Sequence, residues 1–259
     1  MKVSIITLTS NSIKTIKKTI NSINRQNYKD IQKIWIDNCS EDGTFEYLKS
    51  KKDKQTVLIS KKDKGIYFGM NKGLQLAKGD IVGILHSDDY LNGKNIISNI
   101  VDKFKKNNVN LVYGDLDYIV RDNKIIRKWI ADKEYKRVKN FQYFSKKLKN
   151  GWMPPHPTTY FSRKFLNLIG NYDTKYKISS DYDFLVRALI NKKISAIYIP
   201  KTFIKMKIGG NSNKSIKNIF FKMIEDYKII KKNKLNGFVS LTLKNLQKIK
   251  QIKIDYLKF

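Results

Sequence analysis

Short apolar runs alternate with amphipathic segments along the first half of the chain. The run from Val3 to Leu8 has the length and β-branched content of a buried strand. The segment after it places Ile13, Ile16 and Ile20 on one face of a helix. Two more strand–helix units follow before another apolar run at 80–85. Repeated units fold with right-handed crossovers, so the pattern predicts an α/β fold with a mainly parallel sheet flanked by helices.

The pattern is less regular beyond residue 115. Short β-like pieces around Asp122-Asn123 predict a hairpin, whereas residues 129–150 are basic and aromatic without a period and predict no element. Apolar spacing predicts a helix from about Arg163 and a long helix from Lys214 onward. Ser180 or Asp181 is predicted to cap a further helix.

The net charge of +31 comes almost entirely from Lys. An AT-rich coding sequence also produces many Lys, Asn and Ile, so part of this charge needs no functional explanation. The charge is densest from Lys201 to Phe259, where fifteen Lys stand against three acidic residues. Scattered Lys predict a solvated surface, whereas clustered Lys favour nucleic acid or anionic lipid as a partner, and both interpretations stay open here.

The single cysteine and the amino terminus bear on the compartment. Cys39 alone excludes an internal disulfide and a thiolate metal site, which favours a reducing compartment, and we expect its side chain to be small and buried. The chain enters its first strand without a secretory signal, and no apolar segment approaches the roughly 20 residues of a membrane span. A cytoplasmic protein is expected, either free or attached peripherally to the inner face of the membrane.

Two adjacent carboxylates, Asp88 and Asp89, end the apolar run at 81–85. The carboxyl edge of a parallel sheet is where open α/β proteins bind ligands. An acidic pair at that edge can hold a divalent cation and, through it, a phosphate. The alternative is a solvated turn that caps the next helix.

Four segments carry a family resemblance. They are VSIITLTSN at 3–11, IDNCSEDGT at 36–44, DKGIYFGMNKGLQLAKGDIVGILHSDD at 63–89 and ISSDYDFLVR at 178–187. In this order and spacing they resemble the family 2 glycosyltransferases of GT-A fold, in particular bacterial enzymes that build lipopolysaccharide, capsule or other surface glycans. The resemblance implies a nucleotide-sugar-binding half at 1–115 and an acceptor and catalytic-base half at 116–205. The family core does not explain residues 206–259, which we expect to form a basic amphipathic helical extension on the ground of their helical spacing and Lys content.

The resemblance also implies the reaction. A sugar is expected to be transferred with inversion from a nucleotide-diphospho-sugar to a hydroxyl of a glycan or polyprenyl-diphosphate-linked acceptor. UDP is the nucleotide expected first. Mn²⁺ or Mg²⁺ would neutralise the leaving diphosphate. The resemblance assigns this cation to Asp88 and Asp89, with Asp89 as the more direct ligand and Asp88 close to ribose or metal. His86 is expected to pack beside the pair rather than bind the cation.

Four further residues are implied on the nucleotide side. Asp37 matches the position that hydrogen-bonds the base, with Thr9 and Asn11 beside it at the end of the first strand. Strand-end capping is the alternative for Asp37 and Asn11. Lys64 precedes the third helix, where the family often places a residue near the nucleotide or diphosphate.

The resemblance gives the catalytic base to Asp181, which would take the proton of the acceptor hydroxyl. Asp183 competes for this role, but two residues apart on a helix the two side chains point in different directions. Asp115 and Asp117 are expected to shape the central loop. His156 contacts acceptor or diphosphate in one interpretation and is a structural loop histidine in the other.

The carboxyl-terminal segment has two interpretations. It is an interfacial amphipathic helix that meets an anionic membrane near a lipid-linked acceptor, or an ordinary helix packed on the domain with a solvated Lys face.

Two other functions compete with glycosyl transfer. A sugar nucleotidyltransferase would show a glycine-rich basic loop that ITLTSNS lacks. A basic nucleic-acid-binding protein would use the charge of +31 and the segment 118–149, although nucleic acid is not the expected partner.

Overall fold

The computed structural model describes residues 1–120, 123–134, 138–208 and 216–250. Ten strands in these residues form one sheet. The strands are β1 (Val3–Thr9), β2 (Ile31–Asp37), β3 (Thr56–Ser60), β4 (Ile81–Ile84), β5 (Asp89–Leu91), β6 (Leu111–Ile119), β7 (Ile125–Trp129), β8 (Lys139–Asn140), β9 (Tyr160–Ser162) and β10 (Ser195–Lys207).

The first part of the sheet is parallel, as predicted. Strands β3, β2, β1 and β4 lie side by side in that order, and all three pairings are parallel. The directions mix beyond β4: β9 pairs antiparallel with β4 and β6, β10 runs parallel to β6, and β5 pairs antiparallel with β10. Because β10 continues to Lys207, the expected boundary between 205 and 206 falls inside a strand.

Helices cover both faces of the sheet. The described helices are α1 (Ile13–Asn24), α2 (Thr44–Lys51), α3 (Ile66–Leu76), α4 (Ile96–Asn107), α5 (Phe141–Lys149), α6 (Arg163–Ile169), α7 (Ser180–Leu189), α8 (Ile216–Lys232) and α9 (Gly237–Lys250). On one face, α1, α2 and α4 enclose a core with alternate residues of β1 such as Ile5; on the other, the remaining helices enclose a second core with Ile6. The alternation follows from the period of two in a strand.

The second half agrees with the sequence pattern in part. The hairpin is confirmed, since β6 and β7 pair antiparallel, although Asp122 itself lies outside the described residues. The segment that predicted no element contains β8 and α5. α6 begins at Arg163 as predicted, whereas the predicted start of the long helix at Lys214 lies outside the described residues.

Two expectations about single residues are wrong. Cys39 is exposed rather than buried, because the turn after β2 takes a left-handed conformation there, with φ of 51°, and directs the side chain outward. Asp115 and Asp117 lie within β6 rather than in a loop, because β6 continues between β10 and β7, which pair with it on both sides.

The carboxyl-terminal helices pack on the domain. Ile229 and Ile230 of α8 and Leu241 of α9 are buried in the same core as α7 and α5. Among the described helices, none combines the length and the apolar character that crossing a bilayer requires. The interpretation of an ordinary packed helix is therefore confirmed for the inner face of the extension.

Candidate active site

Asp37 organises the loops at the carboxyl edge of the parallel strands. Its side chain is fully buried, and its two oxygens accept hydrogen bonds from the hydroxyls of Thr9, Ser40 and Ser60 and from the backbone N–H of Ser40. Burial raises the pKa of Asp37, but these hydrogen bonds outweigh it and hold the pKa below the usual value. These four bonds fill the acceptor capacity of a carboxylate, so the geometry favours an organising role; contact with a nucleotide base stays a prediction.

Asn11 joins the loops that follow β1 and β2. It adopts a left-handed conformation with φ of 47°, its N–H donates to Ser40 Oγ at 2.9 Å, and its Oδ1 accepts from Glu41 N–H at 2.9 Å. The Oγ of the next residue, Ser12, lies 2.9 Å from the Oγ of Ser87, which directly precedes the acidic pair. The predicted nucleotide residues Thr9, Asn11 and Asp37 therefore lie together and connect to the turn that carries Asp88.

The acidic pair lies where the turn after β4 leads into β5: Asp88 ends the turn and Asp89 is the first residue of β5. Asp89 N–H donates to the carbonyl of His86, and Thr19 of α1 donates from one hydroxyl to the carbonyls of Ser87 and Asp89, at 2.9 and 2.7 Å. Asp89 then enters β5, which pairs with β10. The turn is therefore fixed both by a helix and by the sheet, and it differs from the solvated turn of the alternative interpretation because Asp89 is only 1% exposed.

Asp89 has the environment expected of a ligand-binding carboxylate. Neither oxygen meets a hydrogen-bond donor with good geometry among the described residues. Burial and then the charge of Asp88 raise its pKa well above the usual value, against a smaller lowering by the backbone N–H of Lys207. A buried carboxylate without a well-aligned donor is costly unless a proton or cation neutralises it. These features fit a divalent cation held by oxygen ligands.

Asp88 and Asp89 differ in access. Asp88 is partly exposed and Asp89 is buried, so Asp88 is the carboxylate that a ligand from solvent reaches first. The ranking of Asp89 as the more direct ligand stays a prediction. No cluster of three or more His, Cys, Asp or Glu is arranged for a metal in the part of the chain that the structure describes, so a cation here would also need oxygens from substrate or water.

Asp181 lies in the first turn of α7, which begins at Ser180. Its Oδ1 accepts the N–H of Tyr182 at 2.8 Å and the hydroxyl of Tyr67 at 3.3 Å. Burial raises the pKa of Asp181, but the charges of Lys222, His156 and Lys244 and the N–H of Tyr182 lower it below its usual value. Asp181 is thus held as a carboxylate at neutral pH. The N-cap is Ser179 rather than Ser180 or Asp181, which corrects the predicted cap by one or two residues.

Two residues place Asp181 near the acidic pair, and we call the region between Asp88, Asp89 and Asp181 the cleft. Burial lowers the pKa of His86, while the charges of Asp88 and Asp181 both raise it, so His86 lies within electrostatic range of both carboxylates. Burial raises the pKa of Tyr118, Arg127 lowers it, and Asp89 and Asp181 both raise it. The structure therefore brings together the three carboxylates that the sequence separates by about ninety residues.

Asp183, the competitor for the base, has a structural environment. Its side chain is fully buried and its Oδ2 accepts from Arg187 Nε at 2.7 Å. Arg187 also donates to the carbonyls of Ile169 and Asn171. The pair ties α7 to the end of α6, so Asp181 rather than Asp183 is the residue of this segment that faces the acidic pair.

His156 is buried and its Nε2 lies 2.8 Å from the hydroxyl of Tyr172. Burial lowers the pKa of His156 to about 4, with Asp181 raising it and His86 lowering it. The ring of Tyr172 stacks in turn on those of Tyr67 and Phe184. This packing favours the structural interpretation of His156.

A row of side chains extends from the acidic pair across the sheet. Met206 of β10 is opposite Asp89 on one side and Tyr118 on the other, and Tyr118 is opposite Arg127. Residues paired across strands share a face, so all four lie on one face. The guanidinium of Arg127 stacks 4.5 Å from the centre of the Tyr118 ring and 5.4 Å from that of Trp129. A planar cationic and aromatic surface therefore adjoins the cleft.

Lys64 is exposed in the loop after β3, next to Asp63, whose N–H donates to Asn38 Oδ1. It lies at the same edge of the sheet as Asp37, and its contact with a diphosphate stays a prediction.

A groove of about 490 Å³ lies between α3 and α6 and is lined by Gln75, Arg163 and Asn167 among others. It contains no carboxylate, so we place the candidate site in the cleft with the three Asp residues rather than in this groove.

Sequence reasoning missed Tyr67, Tyr118 and Arg127 as site residues. Tyr67 lies in the segment 63–89 that carried the resemblance, and its buried position on α3 was a signal available from the helix pattern. The other two are identified by strand pairing, which no local pattern contains.

A model of the glycosyl transferase family 2 matches residues 4–170 of the chain. Among curated proteins, an uncharacterized glycosyltransferase of Mycobacterium tuberculosis (strain ATCC 25618 / H37Rv) is 27% identical over 198 residues, which cover 73% of this chain and 69% of the relative. A PGL/p-HBAD biosynthesis glycosyltransferase of Mycobacterium bovis (strain BCG / Pasteur 1173P2) is 24% identical over 226 residues, which cover 85% and 83%.

Solved structures show the same fold. S. aureus TarS 1–349 in complex with UDP aligns with a TM-score of 0.66 at 20% identity, over 95% of this chain and 69% of that chain. The mannosyltransferase PcManGT from Pyrobaculum calidifontis, in complex with GDP-Man and Mn²⁺, aligns with a TM-score of 0.64 at 16% identity, over 94% and 68%. The matched region of the family model ends before Asp181, which lies in α7.

Proposed function

This chain belongs to glycosyl transferase family 2 and is a glycosyltransferase of GT-A fold, and on that premise we propose that it transfers a sugar with inversion from a nucleotide-diphospho-sugar in a divalent-cation-dependent reaction. The observation that supports the proposal is the proximity of Asp181 to Asp88 and Asp89: His86 lies within electrostatic range of Asp88 and Asp181, and Tyr118 within that of Asp89 and Asp181. The structural neighbours with UDP and with GDP-Man and Mn²⁺ support a nucleotide-sugar donor and a divalent metal.

Asp88 and Asp89 would hold the cation, which when bound supplies positive charge against the departing diphosphate. Asp181 accepts the proton of the acceptor hydroxyl as its oxygen forms a bond to the anomeric carbon of the donor sugar. The bond from that carbon to the nucleoside diphosphate breaks with its electron pair on the diphosphate. A single displacement of this kind inverts the anomeric configuration. The lowered pKa of Asp181 keeps it ionised before the proton arrives.

The test is a thermal-shift and turnover screen of UDP-, GDP-, dTDP- and CMP-sugars with and without Mn²⁺. We expect one nucleotide class to raise the melting temperature in a Mn²⁺-dependent way, with UDP the first candidate. We expect the same class to support turnover. A protein that is stabilised by arbitrary polyanions in a salt-dependent way, with no response to any nucleotide sugar, would contradict the proposal and favour the nucleic-acid alternative.

We further propose a lipid-linked acceptor at an anionic membrane surface, in the synthesis of a cell-surface glycan. The outer face of α8 and α9 exposes large apolar side chains, with Phe220 63% and Phe238 74% exposed, among many Lys. A helix that combines an apolar face with Lys suits the headgroup region of an anionic bilayer, where each Lys near the surface contributes about 1 kcal/mol. The name of the M. bovis relative, a biosynthesis glycosyltransferase for PGL/p-HBAD, is consistent with such an acceptor.

Liposome sedimentation tests the membrane proposal. We expect binding to vesicles that contain anionic lipid, weaker binding as salt rises, and loss of binding when Phe220 and Phe238 are both changed to Ser. Leu168→Ser, on the exposed face of α6, is the control for loss of an exposed apolar side chain elsewhere. Equal binding of the wild type to neutral and anionic vesicles, or none to either, would contradict it.

A further inference from the structure

The carboxylate of Glu225, on α8, binds the segment that leads into α7. Its Oε1 accepts the N–H of Lys177 at 2.8 Å, and its Oε2 accepts those of Ile178 and Ser179 at 3.0 and 2.8 Å. Asp181 follows two residues after Ser179. A single side chain thus takes three consecutive backbone donors immediately before the candidate base, where the positive end of the α7 dipole also favours a negative charge.

The backbone of Ile178 is held by both of its polar groups. Its N–H donates to Glu225, and its carbonyl accepts the hydroxyl of Tyr67 at 2.6 Å. The same hydroxyl lies 3.3 Å from Asp181 Oδ1. Tyr67 belongs to α3, where Gly73 lets the helix pack closely on β1: a Cβ at that position would lie 2.4 Å from Ile6. The segment before α7 is therefore fixed between the amino-terminal half of the domain and α8.

The helix that carries Glu225 is itself firmly placed. Asp226, the next residue, is buried and pairs with the buried Lys244 of α9 at 2.7 Å. The ammonium of Lys244 also lies 3.2 Å from the centre of the Tyr182 ring, next to Asp181. Ile229 and Ile230 continue the buried face of α8. Glu225 thus has little freedom to follow the segment 177–179 if that segment moves.

The segment 177–179 has no regular secondary structure. Within the described residues, the N–H groups of Lys177, Ile178 and Ser179 all go to Glu225. Without that carboxylate these three N–H groups would hydrogen-bond to water instead. The start of α7 would then be free to shift. A displacement of about 1 Å in a reacting group can cost up to about 100-fold in rate.

We propose that Glu225 is a positioning residue for Asp181, so that α8 completes the active site from outside the region that the family model matches. The inference rests on the proposed role of Asp181 as the base. Glu225 touches backbone and no reacting atom, and it acts only through the placement of Asp181. It follows that the carboxyl-terminal extension contributes to turnover even when no membrane is present.

The test compares Glu225→Ala and Glu225→Gln with Glu46→Gln, which removes the same charge from an exposed position on α2. We expect kcat for transfer to fall about 10- to 100-fold in Glu225→Ala. A smaller loss is expected in Glu225→Gln, whose amide oxygen still accepts, and none in the control. Donor binding, measured by calorimetry with Mn²⁺, should stay within about twofold of wild type in all three. Should Glu225→Ala fail to fold, Glu225→Gln alone carries the comparison.

A double-mutant cycle separates positioning from general stability. In an Asp181→Asn background, measured under single-turnover conditions, Glu225→Ala should cause no further loss. A further loss of the same size as in wild type would show an independent structural role and overturn the inference, as would wild-type kcat in both Glu225 variants. Full transfer by Asp181→Asn alone would instead overturn the base assignment of the proposed function, so the two failures are distinguishable.

Discussion

Two strand-end carboxylates at the same edge of the sheet have opposite environments. Asp37 and Asp89 are equally enclosed, at 0% and 1% exposure. Asp37 accepts four hydrogen bonds and its pKa is lowered, whereas Asp89 meets no well-aligned donor among the described residues and its pKa is raised. A carboxylate whose hydrogen bonds come from its own chain organises that chain. One that lacks them has capacity left for a ligand.

The same difference separates Asp181 from Asp183 on α7. Asp183 is paired with Arg187 inside the protein, whereas Asp181 lies partly exposed in the cleft with a tyrosine hydroxyl as its side-chain donor. Two classes follow. Asp37 and Asp183 should act mainly on the free energy of unfolding, and Asp89 and Asp181 mainly on binding and turnover.

The largest expected effect is on transfer by Asp181→Asn. Removing a general base costs about 10²- to 10⁴-fold in rate, so kcat should fall by that range. The melting temperature and the affinity for the nucleotide sugar should stay near wild type, because the hydrogen bonds described for Asp181 come from Tyr67 and Tyr182 and not from the predicted nucleotide residues. If Asp181→Asn kept the wild-type kcat, Asp181 would not belong with Asp89 among the residues that act on binding and turnover.

Asp183→Asn should destabilise the protein rather than disable the chemistry. The change removes the carboxylate charge that pairs with Arg187, which keeps only the carbonyls of Ile169 and Asn171 as charge-neutral acceptors, and this costs about 3 kcal/mol in the free energy of unfolding. Urea denaturation measures this directly. At a temperature where the variant is folded, transfer should remain within about threefold of wild type; a large loss of kcat with unchanged stability would break the distinction between the two classes.

Asp37→Asn should cost about 2 kcal/mol in the free energy of unfolding, through the loss of charge-assisted hydrogen bonds. Because the folded-state pKa of Asp37 is lowered, its contribution is present above the unfolded value of about 3.9 and is lost as the pH falls through the folded value. The stabilities of wild type and variant should therefore converge in acid, below about pH 4. A difference that stays constant down to pH 2 would contradict this origin.

Tyr67→Phe is the mildest change. It removes the hydroxyl that meets the carbonyl of Ile178 and Oδ1 of Asp181 and leaves the ring stacking on Tyr172. One neutral hydrogen bond contributes about 1 kcal/mol, so we expect kcat to fall about fivefold with donor affinity unchanged. An unchanged kcat would show that Glu225 and the α7 packing suffice to place Asp181.

The sequence predicted the parts of this site that local patterns determine. The apolar strands and the helical spacing of residues such as Ile16 and Ile20 predicted the parallel half of the sheet. They thereby also predicted the edge of the sheet at which Asp37 and Asp88 lie. The resemblance then supplied Asp181. Each of these rests on residues that are neighbours in sequence or share one motif.

The rest depends on contacts between distant segments. Tyr118 and Arg127 reach the cleft because β6 lies next to β10 in a particular register. Glu225 binds a segment 46 to 48 residues away because α8 packs on α7. Strand order, register and helix packing follow from the whole core, so no window of sequence contains them.

The most direct test is calorimetric binding of the preferred nucleoside diphosphate in a Mn²⁺ titration, with wild type, Asp89→Asn and Asp181→Asn. The account predicts tight binding that requires Mn²⁺ in wild type and Asp181→Asn, and loss of the Mn²⁺ requirement together with most of the affinity in Asp89→Asn. Wild-type, Mn²⁺-dependent binding by Asp89→Asn would contradict it.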